Sequence, residues 1–190
     1  MNKIDKRLEK EIIDLISISI QQPLDRKNML SHPVRIVESA KSLIGLDLKR
    51  SHIAMLSFLK SKNFIEYEEN SEDKNLGKQR SVSIYQLEDV IKSKDLRDVD
   101  SLIESILSLS DGRHILEYLL ELSFNQTGDS LPIIWALLRS MNFIGYGDTS
   151  LSKKALMLGV RCLSNDNFVD FKIEMNSIDD IFHNKELSMH

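Results

Sequence analysis

Histidines are the first side chains to consider, because imidazole is a frequent general base and the commonest metal ligand in proteins. The chain has five of them, and no two show the His-x-x-x-His spacing that places a pair of metal ligands on one helix face. They are His32, His52, His114, His183 and His190. His52 falls on the predicted core side of its helix, and we interpret it as a structural histidine. The histidine pattern therefore predicts no metal site.

Nucleophilic and acid–base chemistry has equally little support in the sequence. Cys162, the only cysteine, lies beside Leu163 in a predicted helix, where burial as a small hydrophobe is the simpler interpretation. Carboxylates cluster at Asp179–Asp180 and within Glu66–Glu69, but neither cluster comes with a partner side chain that the sequence identifies. Nothing resembles a Walker A segment or a G-x-S-x-G nucleophile elbow. We therefore expect a protein that is not an enzyme and needs no cofactor.

One predicted helix, from about residue 48 to residue 62, has an outward face suited to contact with DNA. A helix that enters the major groove needs small or polar residues for close approach and Arg or Lys for phosphates and guanine edges. This face has both, and no acidic residue occurs between Lys49 and Lys62. The candidate DNA-binding residues on the helix and the loop after it are Lys49, Arg50, Ser57, Lys60, Lys78 and Arg80. An ordinary solvated or partner-facing helix explains the same pattern, so both interpretations stay open.

A second predicted helix, Ser130–Met141, has an outward face better suited to a protein partner. Rotation by 100° per residue places Pro132, Ile133 and Ala136 on this face, with one arginine as its only charge. A single cation makes a poor phosphate-binding surface, whereas an exposed isoleucine favours burial against protein. We assign these three residues to partner binding. The alternative is that the C-terminal segment of the same chain covers them. Trp135 is predicted to lie near the core.

These two helices belong to an internal repeat. Ser51–Tyr67 aligns without gaps to Ser130–Tyr146, and seven of the seventeen positions carry the same residue, namely Ser, Leu, Ser, Asn, Phe, Ile and Tyr in chain order. Each copy is predicted to be a helix that runs directly into a strand, because aromatic and β-branched residues follow the apolar helical period. The repeat therefore predicts two units of one module.

The first unit is predicted to contain three helices followed by a β-hairpin. Apolar stripes, the capping Asp47 and the breaks at Pro23 and Gly45 define the helices. Alternating residues around a long polar loop, Glu68 to Gln79, define the hairpin. The predicted elements are a helix from Ile4 that ends near Pro23, followed by Pro33–Gly45, Asp47–Asn63, Phe64–Tyr67 and Arg80–Leu87. Three helices and a hairpin with a long loop form the winged-helix arrangement.

The second unit repeats this order more loosely, with a tight turn at Gly147-Asp148 in place of the long loop. Its predicted elements are helices at Leu102–Leu107, His114–Phe124 and Ser130–Met141, the strand Phe143–Tyr146, and a further helix from Leu151 to about Leu163. We place the two units at residues 1–90 and 95–164, followed by a C-terminal docking segment at 165–190. The predicted fold class is mainly α with small β-hairpins, as two winged-helix units in tandem.

Composition and charge limit the function classes. The chain has 190 residues, a formal net charge of −4 and a pI near 5.8, which argues against coating of nucleic acid by bulk attraction. Its longest uncharged apolar run, Leu131–Leu138, is far shorter than the ~20 residues of a membrane span. The first residues show no signal peptide, and a single cysteine permits no internal disulfide. We therefore expect a cytoplasmic protein.

The two helix-to-strand passages also carry a family resemblance. Leu59–Tyr67 together with Ser83–Leu87 resembles the passage from recognition helix to wing in bacterial winged-helix regulators, and Leu138–Ile144 followed by Leu151–Lys154 looks like the same passage again. A chain of this size with two such units is similar to the kite subunits that accompany SMC-type ATPases. These include the ScpB and MukE classes and accessory subunits of plasmid- and phage-defence systems. The resemblance implies a homodimer that clamps a flexible partner chain near an ATPase.

Two functions from different classes follow. The first is a non-catalytic accessory subunit of an SMC-type ATPase complex that acts on DNA, in chromosome maintenance or in plasmid and antiviral defence. Its partner would be the ATPase or its linker subunit, with weak contact to double-stranded DNA. The second is a dimeric winged-helix DNA-binding transcription regulator. Fold alone does not choose between them, because both classes share it.

Overall fold

Helices are the only regular secondary structure in the described part of the chain. The computed structural model describes residues 6–46, 51–61, 83–126 and 128–166, and within these ranges it has no strand. Eight α-helices and one short 3₁₀ turn, Met29–Ser31, occupy them. The helices are α1 (Lys6–Ile20), α2 (Pro33–Leu46), α3 (Ser51–Ser61), α4 (Ile84–Ser93), α5 (Val99–Leu107), α6 (Gly112–Ser123), α7 (Leu131–Ile144) and α8 (Thr149–Asn165).

Seven of these eight helices, all except α4, lie where the apolar period predicts a helix, and those predictions are confirmed. Side-chain caps define the starts of two of them, α6 and α8. Asp111 accepts a hydrogen bond from the backbone N–H of His114 at 3.2 Å, and Asp148 accepts one from Leu151 at 3.0 Å. Each cap satisfies a backbone N–H that has no partner inside its own helix.

Helix α4 replaces a strand that the sequence pattern predicts. The expected strand Arg80–Leu87 is wrong from Ser83 onward, and its first three residues lie outside the described ranges. Ser83 forms a capping box, in which its hydroxyl accepts from Tyr85 N–H at 3.3 Å while Gln86 Oε1 accepts from Ser83 N–H at 3.4 Å. Leu87 and Ile91, four residues apart, are both fully buried. The cap and this spacing outweigh the short alternation that suggested a strand.

Helix α7 continues through the second predicted strand. The expected strand Phe143–Tyr146 is wrong, because the helix passes Asn142 and ends only after Ile144. Gly145 then adopts a φ of 93°, which glycine tolerates at little cost, and its N–H donates to the carbonyl of Met141 at 2.8 Å. The other predicted strand of the repeat, Phe64–Tyr67, lies outside the described residues.

The predicted fold class is therefore wrong. Neither a β-hairpin nor a winged unit is present in the described ranges, whose regular elements are all helical. The helix-to-strand passage at α7, which carried half of the resemblance to winged-helix proteins, is one continuous helix. The structure is instead an all-helical array in the part of the chain that it describes.

Helix α8 lies at the centre of this array. It packs against α1, α4, α5, α6 and α7, and its buried residues from Leu151 to Ser164 occupy most of its circumference, with Arg161 on the exposed side. A Cβ at Gly159 would lie 3.0 Å from Leu119 Cδ1, so the glycine allows α6 to approach α8 closely. In the described ranges, no helix is both long enough and apolar enough to cross a membrane.

The core continues across the boundary that the sequence places between residues 90 and 95. One cluster of buried apolar residues extends from Leu8 to Leu163, and α2 of the first predicted unit packs against α7 of the second. The two predicted units therefore share their core. That either of them folds alone stays a prediction.

Candidate functional site

An apolar groove lies between the 3₁₀ turn, α2 and α3. Its cavity volume is about 300 Å³. Three large apolar side chains around it remain exposed to water, namely Leu30 at 44%, Leu43 at 44% and Phe58 at 47%. The complete lining is Leu30, Arg35, Ile36, Ser39, Ala40, Leu43, Met55 and Phe58. Contiguous exposed apolar surface of this kind marks interaction sites more often than an isolated exposed leucine does.

The groove exists because α2 carries two adjacent apolar stripes. Val37 and Ile44 on one stripe are buried in the core. Ile36 and Leu43 on the other stripe line the groove, where α3 contributes Met55 and Phe58 on its own neighbouring turns. A surface helix needs only one apolar stripe to pack on a core. In the second stripe Ile36 packs partly against the core, whereas Leu43 stays 44% exposed and is available to a partner.

The groove has one charged lining residue, Arg35. The Arg35 guanidinium donates to the backbone carbonyl of Leu30, which fixes its side chain at the edge of the groove. No acidic side chain is among the lining residues. The site therefore combines an apolar surface with a single fixed positive charge.

The predicted DNA-binding face on α3 is only partly within the described residues. Ser57 and Lys60 lie on the exposed side of α3, as predicted, while Leu56 and Leu59 face the core. Lys60 forms an ion pair with Glu11 of α1 at 3.2 Å, and its hydrogen bond is the main cause that lowers the pKa of that carboxyl. The other four candidates, Lys49, Arg50, Lys78 and Arg80, lie outside the described ranges, and their contact with DNA stays a prediction.

The predicted partner-binding face on α7 is placed incorrectly. Ile133 and Ala136 are only 0% and 3% exposed, and Pro132 is half-buried. Trp135, expected near the core, is 49% exposed. The reason is that α7 packs against α2, α6 and α8, which leaves it a narrow outward strip. The Arg139 guanidinium lies on this strip, 5.9 Å from the Trp135 ring centroid. The sequence indicates this cation–π contact, because an aromatic residue four positions before an arginine lies on the same face of a helix.

A buried carboxylate joins α2 to α7. Glu38 is 5% exposed and accepts hydrogen bonds from Arg139 Nε at 2.7 Å and Ser42 Oγ at 3.1 Å. Lys41 Nζ lies 2.5 Å from its Oε2, and Ser140 Oγ lies 3.4 Å from the same oxygen. Four donors from two helices thus surround one anion. This arrangement suits the fixing of two helices more than the binding of a ligand, because the carboxylate already has its partners.

Cys162 and His32 are both enclosed in the core, whereas the His114 side chain is 71% exposed, with Nδ1 3.4 Å from Glu117. Cys162 is fully buried, and burial raises the pKa of its thiol far above the usual value. His32 is 3% exposed; its Nδ1 accepts from Val34 N–H at 3.3 Å, and its Nε2 lies 3.1 Å from the carbonyl oxygen of Gln22. Burial lowers the pKa of His32, so the neutral ring is favoured. The side chain of His52, predicted to be structural, lies outside the described parts.

The described residues form no metal site, and comparison with known proteins identifies no other candidate site. Within the described ranges, no three His, Cys, Asp or Glu side chains come together in a way that could hold a metal ion. The carboxylate clusters Glu66–Glu69 and Asp179–Asp180 lie outside those ranges. Compared with known proteins, the chain matches no family model, no curated protein and no solved structure.

Proposed function

We propose that the chain is a non-catalytic interaction protein that binds an amphipathic helical segment of a partner protein in the groove between α2 and α3. The observation that carries this proposal is the exposure of Leu30, Leu43 and Phe58 around one concave surface. Burial of apolar area contributes about 25 cal/mol per Å², so a partner that covers these side chains gains free energy from each.

The size and charge of the groove indicate what the partner segment carries. A groove of about 300 Å³ accommodates two or three apolar side chains, which a helix presents at i, i+3 or i+4, and i+7. Arg35 is held at its edge, and a carboxylate on the partner would form a charge-assisted hydrogen bond with it. The partner segment is therefore an amphipathic helix with at least one acidic residue beside its apolar stripe.

Duplex DNA is a poorer match for this surface. Affinity for DNA depends on several cations placed against phosphates, and the groove supplies one. Phe58 occupies the exposed side of α3, where close approach to base edges needs small or polar residues. Lys60 is engaged with Glu11. We propose DNA contact only as a weak secondary activity of the residues that the sequence pattern suggests.

In its finer form, the proposal assigns the partner to an SMC-type ATPase complex, as the ATPase or its linker subunit, with the chain acting as a homodimer in the cytoplasm. Its support is the sequence pattern of Leu59–Tyr67 together with the apolar groove beside α3. An adjacent reading frame that encodes an ATPase with a long heptad insert would strengthen it. Binding of one specific duplex at about 10⁻⁸ M in physiological salt would instead establish a transcription regulator.

The decisive experiment compares partners recovered from the native host with tagged wild type, Phe58→Glu and Leu43→Glu, quantified by mass spectrometry. We expect one protein to be recovered with wild type and to fall at least tenfold with either variant, because each variant places a charge in the apolar groove. The recovered protein should contain an amphipathic acidic helix, and a synthetic peptide of that helix should bind wild type directly.

Leu109→Glu provides the matched control, since Leu109 is 67% exposed and does not line the groove. Circular dichroism melts establish that all three variants are folded. Equal recovery of the partner by folded Phe58→Glu, Leu43→Glu and Leu109→Glu would refute the groove as the binding site. Recovery of nucleic acid alone would refute the proposed class of partner.

A further inference from the structure

A second cavity, of about 250 Å³, lies between the C-terminal end of α1, the turn after it, α5 and α8. Its apolar surface comes from Pro23 and Leu24 together with Ile20, Met157 and Leu158, of which the last three are 2%, 7% and 4% exposed. Its polar surface consists of three cations of α8, one carboxylate of α5 and two glutamines, namely Lys153, Lys154, Arg161, Asp100, Gln21 and Gln22. The cavity is separate from the groove between α2 and α3, with which it shares no lining residue.

The carboxylate at this cavity is already engaged. Lys153 Nζ lies 3.3 Å from Asp100 Oδ1 and 2.6 Å from Glu104 Oε1, so this lysine joins α8 to α5. Arg161, on the exposed side of α8, forms no ion pair with any described residue. Lys153 is matched by Asp100 and Glu104, so the positive charge of the lining comes from Lys154 and Arg161, and it favours an anion.

The glutamines fix the other edge of the cavity. Gln21 Nε2 donates to the carbonyl of Ser17 at 3.0 Å, and Gln22 Nε2 donates to the carbonyl of Ile18 at 3.1 Å. These bonds satisfy carbonyl groups in the last turn of α1. Gln21 Oε1 accepts from Lys154 Nζ at 3.3 Å, so the amide orientation is defined from both sides. The edge is thus organised before any ligand binds.

Arg161 stands beside the apolar surface on α8. Met157 and Leu158 precede it by four and three residues, the spacings at which side chains are neighbours on a helix. An arginine at the end of an apolar surface can hold a planar anionic group bidentately while the rest of the ligand lies on the apolar atoms. At about 30 Å³ per water molecule, the cavity volume corresponds to a ligand of roughly eight to ten heavy atoms.

We propose that this cavity binds a small organic anion, a carboxylate or phosphate monoester with a short apolar chain, whose anionic group is bound by Arg161. The apolar chain lies on Ile20, Met157 and Leu158. Lys154 beside it adds positive charge, which favours an anion over a neutral analogue. Such a site would make the protein responsive to a metabolite in addition to its partner.

The test uses hexanoate, hexyl phosphate and the neutral hexanol as probes of the full chain. Binding is followed by methyl NMR of labelled methionines, in which Met157 reports on the cavity, and by calorimetry. We expect one or both anions to bind with a Kd in the millimolar range or tighter, to shift the Met157 methyl signal, and to exceed hexanol at least tenfold in affinity. The stronger of the two anions identifies the head group.

Variants separate a built site from general attraction to a charged surface. Arg161→Gln should weaken anion binding at least tenfold, Arg161→Lys should restore part of it, and Arg113→Gln, on the surface of α6, should leave it unchanged. Equal binding of hexanol and hexanoate, no Met157 shift, or equal affinity in Arg161→Gln would each overturn the proposal. None of these results depends on the groove between α2 and α3.

Discussion

Replacement of Glu38 by glutamine removes a charge at the junction of α2 and α7 but keeps the size of the side chain. In the native protein the carboxylate faces two cations, Lys41 at 2.5 Å and Arg139 at 2.7 Å. The variant leaves both without this anion. The Lys41 side chain is 11% exposed and that of Arg139 is 47% exposed. Most of the destabilisation therefore comes from the buried, unpaired lysine, whereas the arginine can turn toward water.

The expected loss of stability follows from these exposures. Removal of one partner of a fully buried ion pair costs about 3–5 kcal/mol. Because Arg139 is half-exposed, and because glutamine still accepts hydrogen bonds from Ser42 and Ser140, we expect Glu38→Gln to lose about 2–3 kcal/mol of unfolding free energy. For a chain of this length, that loss lowers the Tm by roughly 5–10 °C.

Urea denaturation at pH 7, followed by far-ultraviolet circular dichroism, measures this difference. The matched control is Glu117→Gln, which removes a carboxylate that pairs with Arg113 at 2.9 Å on the exposed surface of α6. The control should change stability little, because solvent screens such a pair. If Glu38→Gln loses no more stability than Glu117→Gln, then the buried anion does not hold α2 against α7 and the reasoning is refuted.

Three further predictions use the same denaturation assay or a simple labelling assay. Gly159→Ala should lose about 1 kcal/mol net, because its Cβ would lie 3.0 Å from a fully buried Leu119 side chain and this clash exceeds the ~1 kcal/mol that alanine gains inside a helix; an unchanged midpoint would show that Leu119 shifts enough to accept the methyl group. The lowered pKa of His32 keeps its imidazole neutral in the folded state at pH values where the same group in the unfolded chain, with an ordinary pKa of about 6.5, binds a proton. The unfolding free energy should therefore fall from pH 7 to pH 5. His32→Gln should remove part of that slope, and a slope that stays the same assigns it to other groups. Cys162 should react with Ellman's reagent only after unfolding, because its thiol is buried and its pKa is raised; rapid labelling of the native protein would contradict this placement.

The helices of this protein are predictable from sequence because their core residues repeat with the helical period, and the errors occur where a short segment fits two periods. At Val82–Leu87 a brief alternation suggested a strand, although the capping box at Ser83 and the pair Leu87 and Ile91 indicate a helix. At Phe143–Ile144 the aromatic and β-branched residues suggested a strand, although tertiary packing keeps them helical. In the first place a local cap and the helical spacing outweighed the alternation, and in the second tertiary packing outweighed the local composition.

The internal repeat explains why the predicted partner face was misplaced. Phe58 of α3 is 47% exposed, whereas the equivalent Leu137 of α7 is fully buried. Two residues earlier the relation is reversed, because Leu56 is 9% exposed and the equivalent Trp135 is 49% exposed. Similar sequences thus lie at different rotations relative to the core. Sequence alone does not give that rotation, since it depends on how many helices surround each one.

The groove was only partly predictable. The outward placement of Ser57 and Lys60 follows from the helical period of α3 and agrees with the structure. Phe58, at the edge of that face, was not assigned to a site. The available signal was in α2, where Ile36 and Leu43 form an apolar stripe in addition to the core stripe of Val37 and Ile44. Two stripes on one helix indicate two contact surfaces, but they do not reveal which one the chain itself covers.

The position of α8 has a consequence for biosynthesis. This helix provides the surface on which α1, α4, α5, α6 and α7 assemble, yet it follows all of them in the chain. During translation the earlier helices leave the ribosome with their apolar sides uncovered, since chain growth at about 5–20 residues per second delivers α8 last. A nascent chain stalled before Thr149 would therefore expose the apolar residues of five helices that α8 covers in the folded protein, and these residues would be accessible to chaperones.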